Sequence, residues 1–123
     1  MKVAVIGSRG APESAERLIL HYLPAHTTEV VSGGAVGIDR LAERVAASLG
    51  IPVRVFLPDY DTYGRRAPLE RNEKIIAYAD EVLAFWDGVS RGTGYTITAC
   101  IRAGKPVRII PLTGGTDDGY PGR

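Results

Sequence analysis

A glycine-rich segment is the part of this sequence best suited to hold an anion: Ser32-Gly33-Gly34-Ala35-Val36-Gly37-Ile38-Asp39. It lies between a short apolar run and a pattern typical of an amphipathic helix. Its glycines let the backbone turn tightly and approach a ligand without Cβ clashes. Because the first turn of a helix has free N–H groups and a partial positive charge, we predict a phosphate site here. A glycine turn used only for packing would have the same spacing.

Asp39 falls in the first turn of the helix that follows this segment. An acid at that position can complement the positive helix start. It can also accept a hydrogen bond from a ribose hydroxyl or from a neighbouring loop. Since a carboxylate beside a phosphate would repel it, we expect the structural or supporting role.

Two further loops that follow predicted strands carry basic and aromatic side chains. Gly7-Ser8-Arg9 offers a guanidinium that could clamp a phosphate with two hydrogen bonds. A single arginine is otherwise a solvated surface charge. The loop after the third strand contains Tyr60, Tyr63, Arg65 and Arg66 and leads to Arg71-Asn72.

The loop after the fourth strand runs from Trp86 and Asp87 to Gly92-Thr93. Hydroxyl groups at a helix start favour capping, and the same geometry offers a second anion site. Trp86 could stack on a base, or it could belong to the core.

Several other chemistries find no support in the residue pattern. His21 and His26 have no spaced cysteine or acidic partner, so no metal site is predicted. There is no G-x-S-x-G elbow and no evident Ser/His/Asp set. Cys100 lies among apolar residues of a predicted helix, where a core role is expected. No cofactor is predicted.

The elements that must position these loops alternate between strands and helices. Strands are predicted at residues 3–6, 29–32, 53–57, 81–86 and 107–110, and helices precede Pro24, follow Gly37, span residues 69–79 and end near Arg102. Residues 58–68 are predicted to be a loop. This alternation indicates an α/β fold of three Rossmann-like layers, with a parallel sheet of about five strands and helices on both faces. Ligands in such sheets bind beyond the carboxyl ends of the strands.

Length and composition fit one small domain. The chain has 123 residues, a formal net charge of +1 and one cysteine. We predict a domain over residues 1–111 and a flexible, glycine-rich tail over residues 112–123. The near-neutral charge gives no support for nucleic-acid binding. The single cysteine is typical of a reducing compartment. The apolar run at the start of the sequence is too short for a signal peptide, and no apolar run has the length of a membrane helix. We therefore predict a cytoplasmic protein without membrane contact.

These motifs, taken in order, resemble the SLOG superfamily of Rossmann-like proteins. The resemblance is carried by Gly7-Ser8-Arg9, the string from Ser32 to Asp39, Arg71-Asn72 and Gly92-Thr93, and it covers about residues 2–111. The superfamily includes the Smf/DprA DNA-processing proteins, the LOG phosphoribohydrolases and short YspA-like proteins. Residues 68–77 and 97–99 resemble the DNA-processing proteins. Residues 63–68 and 84–88 look more like the YspA-like group, which is the predicted placement.

The resemblance also bears on catalysis. In the LOG pattern Pro-Gly-Gly-x-Gly-Thr-x-x-Glu the Glu is catalytic, and Thr96 stands at that position when Gly92-Thr93 is laid on the Gly-Thr of the pattern. Arg71 matches the catalytic arginine of that family. N-glycosidic cleavage needs a carboxylate, which threonine cannot supply. Asp87 or Asp59 are the acids that could substitute.

Three functions follow as hypotheses. The main one is binding of a nucleotide or nucleotide-derived phosphate ligand, in a sensor or carrier role, with the base near Trp86 or Tyr63. The alternatives are a LOG-like nucleoside 5′-monophosphate phosphoribohydrolase and DprA-like single-stranded DNA binding, for which arginines and tyrosines would form the track. LOG-like relatives imply a homodimer or a higher homo-oligomer. The predicted ligand-binding residues are Gly7, Ser8, Arg9, Ser32, Gly33, Gly34, Ala35, Gly37, Asp39, Arg71, Asn72, Trp86, Gly92 and Thr93.

Overall fold

The apolar runs of this chain form one parallel sheet. The structure, a computed structural model, describes residues 1–112. The strands in this part are β1 (Lys2–Gly7), β2 (Glu29–Ser32), β3 (Val53–Val55), β4 (Glu81–Trp86) and β5 (Val107–Pro111). Their order across the sheet is β3-β2-β1-β4-β5, and all neighbours are parallel. The predicted tail lies outside the described residues, apart from Leu112.

Helices connect the strands and cover both faces of the sheet. They are α1 (Ala15–Tyr22), α2 (Ile38–Leu49), α3 (Tyr60–Tyr63), α4 (Ala67–Tyr78) and α5 (Arg91–Ala103), with one 3₁₀ turn at Gly64–Arg66. Gly50 and Gly104 end α2 and α5 in the left-handed conformation, which glycine adopts without a Cβ clash. Within residues 1–112, no helix combines the length and the apolar character needed to cross a membrane.

The core consists of two layers, one on each face of the sheet. Successive residues of β1 point to opposite faces, so Val3 and Val5 pack with α1 and α2 while Ala4 and Ile6 pack with α4 and α5. Burial of both faces explains why β1 and β4 are continuous apolar runs rather than alternating ones. The predicted fold class, a three-layer α/β sandwich with a five-stranded parallel sheet, is confirmed.

The prediction of a loop over residues 58–68 is wrong. This segment contains α3, the 3₁₀ turn and the start of α4. Asp59 caps α3 by accepting a hydrogen bond from the Thr62 amide at 3.1 Å. Pro68 lies in the first turn of α4, where its missing N–H needs no acceptor. Proline and glycine here are helix-boundary residues, which composition alone does not distinguish from loop residues.

The chain order of the strands places four loops at one edge of the sheet. From β1 the chain moves outward through β2 to β3, then crosses to β4 and β5 on the other side. The carboxyl ends of β1 and β4 therefore form the switch point at which doubly wound sheets bind ligands. The loops after β2 and β3 flank it.

Gly37 holds the loop after β1 against the start of α2. Its φ is +79° and its ψ is −130°, and a Cβ added there would lie 2.5 Å from the Ser8 carbonyl oxygen and would also overlap the Arg9 carbonyl. The Ile38 amide donates to the same Ser8 oxygen at 3.3 Å. The loop after β1 and the loop before α2 are thus held together through backbone atoms, and neither loop can shift without the other.

Replacement of Gly37 is expected to destabilise the fold far more than replacement of Gly50. Gly50 has a similar φ of +71°, but an added Cβ would meet nothing within 4 Å. Gly50→Ala should therefore cost only backbone strain, about 1 to 2 kcal/mol. Gly37→Ala adds overlap with fixed carbonyls and should cost on the order of 3 kcal/mol or more. Urea unfolding of both variants measures the difference, and equal losses would contradict this account.

Candidate functional site

A cleft of about 560 Å³ opens at the carboxyl ends of the strands, over the switch point. Its walls come from the loops after β1, β2 and β3, from the first turns of α4, and from the start of α5. Eleven of the predicted ligand-binding residues line it: Gly7, Ser8, Arg9, Gly33, Gly34, Ala35, Asp39, Arg71, Asn72, Gly92 and Thr93. The sequence motifs that lie far apart in the chain are therefore brought together.

Three predicted residues, and Asp87, are not brought to the wall of this cleft. Ser32 is fully buried, and its hydroxyl donates to Glu43 at 2.8 Å. Gly37 is covered by the carbonyls of the β1 loop. Trp86 lines a separate groove beside α5, and its indole N–H donates to the Ser90 carbonyl at 2.9 Å. The predicted base contact at Trp86 is therefore not available inside the cleft.

The three amides of the glycine-rich segment that line the cleft already have partners within the segment. The Gly33 and Ala35 amides donate to Asp39 Oδ2 at 3.1 and 3.3 Å. The Gly34 amide donates to the Ser32 hydroxyl at 3.0 Å. A phosphate could reach these N–H groups only by breaking such bonds and approaching a carboxylate. The Gly33, Gly34 and Ala35 amides, which form this wall of the cleft, are therefore not free to bind an anion.

Burial of Asp39 changes its acidity. The side chain is 7% exposed, and burial raises its pKa from 3.8 to about 6, against the opposing effects of the Ala35 amide and the Arg71 guanidinium. Desolvation disfavours the charged form of any acid removed from water. Asp39 therefore titrates close to neutral pH.

A chain of hydrogen bonds crosses the floor of the cleft from the β2 loop to α5. Arg71 donates to the Gly33 carbonyl and, through Nε, to Asn72 Oδ1 at 2.8 Å. Asn72 Nδ2 donates to Thr96 Oγ1 at 2.9 Å, and that hydroxyl donates to the Gly92 carbonyl at 2.9 Å. Each polar group in the chain has a partner, so three separate segments are held at fixed separations.

The start of α5 differs from the start of α2. No described residue accepts a hydrogen bond from the amides of Arg91, Gly92 or Thr93, and Ser90 at the N-cap position makes no capping bond. Ser90 through Thr93 line the cleft, and the space where a Cβ would stand on Gly92 is open for 4 Å. Free N–H groups and the helix dipole make this position attractive to an anion.

A buried serine connects the β1 loop to this helix start. Ser8 is 3% exposed, and its Oγ lies 3.1 Å from Ser90 Oγ and 3.3 Å from the Asp87 amide, which donates to it. Asp87 in turn accepts from the Val89 and Ser90 amides at 2.9 and 2.8 Å. These amide bonds lower the pKa of Asp87 to about 2.

The acids considered for hydrolysis are engaged in local structure. Asp87 forms the turn before α5, and Asp59 caps α3, where bonds from Thr62 lower its pKa. Thr96, at the position of the LOG glutamate, is buried in the hydrogen-bond chain. Among the described residues that line the cleft, Asp39 is the single carboxylate. Asp59 and Asp87, the acids predicted as possible substitutes for the glutamate, do not line the cleft.

The sequence prediction named Tyr60 but missed the apolar residues Leu57, Pro58 and Leu69 at the same end of the cleft. Leu57 and Tyr60 are 69% and 60% exposed, and they line the wall together with Pro58 and Leu69. Tyr63, which was predicted to approach a base, instead lies under Lys74 Nζ at 5.4 Å from its ring centre. The sequence feature that could have identified this end is the Leu57-Pro58 pair shortly after the edge strand β3. Such a pair is also typical of an ordinary strand end.

Asp39 is expected to make the stability of the fold depend on pH. Asp39 binds its proton more tightly in the folded protein, where its pKa is about 6, than in the unfolded chain, where it is 3.8. Its contribution to the free energy of unfolding is therefore complete at low pH and is lost as the pH rises to about 6. Over that interval the wild type should lose about 3 kcal/mol relative to Asp39→Asn, which does not titrate. Urea unfolding of both proteins at about pH 4 and about pH 7 measures this difference. A difference that does not change with pH would refute the assignment.

Comparisons with known proteins give this chain relatives in sequence and in fold. A family model described as DNA recombination-mediator protein A matches residues 1–60. The Gene 61 protein of Mycobacterium phage D29 is 35% identical over 94 residues, which are 72% of this chain and 74% of that protein.

Two solved structures have a similar fold. DNA processing protein A (DprA) from Streptococcus pneumoniae superposes with a TM-score of 0.76 at 22% identity, over 95% of this chain. DprA from Helicobacter pylori gives a TM-score of 0.73 at 21% identity, over 91% of this chain. This chain spans only 52% and 66% of those two proteins.

The placement within the short YspA-like group stays a prediction, because none of these relatives tests it. The predicted relation to the DNA-processing proteins is confirmed by the family model and by the fold. The chain belongs to the same family as the Gene 61 protein of Mycobacterium phage D29, with a Rossmann-like fold whose first 60 residues match the DNA recombination-mediator protein A model.

Proposed function

We propose that this chain binds single-stranded DNA in the cleft, with a backbone phosphate at the start of α5. The observation that carries the proposal is the set of free amides at Arg91, Gly92 and Thr93 at the wall of the cleft. A phosphate oxygen there would accept hydrogen bonds from the backbone and would lie at the positive end of a helix of 13 residues.

Two arginines add positive charge to this end of the cleft. Arg9 and Arg91 both line it, and neither forms an ion pair with a described residue. Arg71 supplies a third guanidinium, although its Nε and Nη1 are used in the hydrogen-bond chain. The net charge of +1 for the whole chain thus conceals a local excess of basic groups beside the free amides. Local charge of this kind governs binding to phosphates.

The apolar end of the cleft suits a base. Leu57 and Tyr60 present exposed side chains at its rim. Bases of a single strand are free to stack on aromatic and apolar side chains, whereas bases in a duplex are not. A cleft with amides and arginines at one end and an apolar rim at the other matches the polarity of a single-stranded nucleotide.

The relatives favour the same class of ligand. One of the two structural neighbours is described by its single-stranded DNA binding mode. A free mononucleotide is the second candidate, because a cleft of about 560 Å³ is of the size that small ligands occupy. Competition between a mononucleotide and an oligonucleotide for the same cleft separates the two. A homodimer stays a prediction from the LOG resemblance.

Removal of Arg91 is expected to weaken DNA binding, whereas removal of Arg102 is not. Both arginines are on α5, about 16 Å apart along its axis. Arg91→Ala should lower the affinity for an oligothymidylate several-fold and reduce the slope of log K against log salt by about 0.7, the value for one phosphate contact on a single strand. Fluorescence anisotropy over a range of salt concentrations measures both quantities. Equal effects of the two substitutions would place the DNA elsewhere.

A carboxylate introduced at the start of α5 should weaken DNA binding without destabilising the fold. Gly92→Asp puts a negative charge into open space at the first turn of α5, where it should stabilise the helix by about 0.3 to 1 kcal/mol. The same charge would repel a phosphate and occupy its position. We expect a melting temperature that is unchanged or raised, with oligonucleotide binding reduced at least tenfold. Retained binding in a folded variant would exclude this phosphate position.

A further inference from the structure

One oxygen of Asp39 has no partner. Both backbone bonds to this carboxylate use Oδ2, from the Gly33 and Ala35 amides. No described residue donates a hydrogen bond to Oδ1, and no cationic nitrogen lies within salt-bridge distance of the carboxylate. The side chain is nevertheless 93% removed from solvent and belongs to the wall of the cleft. A buried acceptor without a donor is costly unless a ligand or a proton satisfies it.

The carboxylate of Asp39 lines the same cleft as the apolar rim. A Cβ added to Gly33 would stand 2.9 Å from Asp39 Oδ2, and a Cβ added to the adjacent Gly34 would stand 2.9 Å from Leu57 Cδ2. The carboxylate and the leucine therefore flank the same turn of the β2 loop. A ring packed on Leu57 and Tyr60 would therefore share the cleft with the Asp39 carboxylate.

We propose that Asp39 Oδ1 accepts a hydrogen bond from an N–H group on the edge of a nucleobase held against Leu57 and Tyr60. This inference rests on the proposed function, and it assigns Asp39 as a specificity-determining residue. The two ends of the cleft then differ in the part of the ligand that they bind. The α5 end offers donors to a phosphate, and the Asp39 end offers an acceptor to the base.

The charged groups around Asp39 are consistent with this role. Arg71 on α4 attracts the ionised carboxylate, and Glu43 on α2 opposes its ionisation. Arg9 of the β1 loop and Arg91 of α5 complete the charged residues on the cleft walls. A ligand donor would stabilise the ionised form, as Arg71 does, and a ligand phosphate would oppose it.

A ligand that lacks the N–H group tests the proposal without changing the protein. An oligothymidylate and its N3-methylthymine analogue have the same phosphates and nearly the same bases, but the analogue has no ring N–H. Wild-type protein should bind the analogue roughly 10-fold to 100-fold more weakly, the range for a hydrogen bond to a charged group. Anisotropy at low salt measures both affinities.

The variant Asp39→Asn completes the comparison. Its amide oxygen can keep the bonds from Gly33 and Ala35, while its NH₂ replaces the free acceptor with a donor. The ratio of the two oligonucleotide affinities should therefore fall to about one in the variant. The difference between the wild-type ratio and the variant ratio measures the coupling between Asp39 and the ring N–H, as in a double-mutant cycle. Circular dichroism checks that the variant is folded.

The pH dependence provides a test with a definite sign. Because Oδ2 already accepts two amide bonds, a proton on Asp39 would lie on Oδ1 and turn this oxygen into a donor. The pKa of Asp39 is about 6, so the wild-type affinity for the unmodified oligonucleotide should rise from about pH 5 to about pH 7. Repulsion of phosphate by Asp39 alone would give the opposite trend. The rise should be absent for the methylated analogue and for Asp39→Asn.

The outcomes distinguish this inference from the function on which it rests. If wild type binds the oligothymidylate but methylation, Asp39→Asn and pH leave the affinity unchanged, Asp39 does not contact the base and the proposed function stands. An affinity that falls as the pH rises likewise overturns the contact. If wild type binds neither oligonucleotide at low salt, the proposed function itself fails.

Discussion

The hydrogen-bond chain from Gly33 through Arg71, Asn72 and Thr96 to Gly92 is the constraint on which the cleft depends. Its members come from the β2 loop, α4 and α5, so that side-chain hydrogen bonds link all three segments. Because these groups are largely removed from water, each broken bond would leave an unpaired polar atom and cost free energy. The separation between the glycine loop and the start of α5 is therefore set by side chains of a third element.

Two helix starts meet at this cleft, and the surrounding loops make them chemically opposite. The Gly33, Gly34 and Ala35 amides before α2 donate to Asp39 and Ser32, and the Ile38 amide donates to the Ser8 carbonyl. At α5, Asp87 satisfies only the amides of Val89 and Ser90, which precede the helix. One wall consequently presents an acceptor and the other presents donors. This asymmetry gives a ligand a direction in the cleft, with its anion toward α5.

Local patterns were sufficient for most of the fold. The strands at 29–32 and 81–86 and the helix at 38–49 begin and end where the sequence predicts, because apolar periodicity and terminal glycines act within a few residues. Residues 58–68 were assigned wrongly, since Pro68 at a helix start and Asp59 as a cap have the composition of a loop. The approach of the four motifs to one edge also follows from a parallel sheet, whose strands all end on the same side.

The sequence by itself determined the fold class, the edge of the sheet that carries the site, and eleven of the residues that line it. Only the tertiary structure decided which groups remain free to bind. Whether the Gly33 amide is available depends on Asp39, and whether Trp86 faces the cleft depends on the Ser90 carbonyl. Hydrogen bonds are directional and each N–H is normally used once, so the availability of a donor is a property of the assembled loops rather than of any motif.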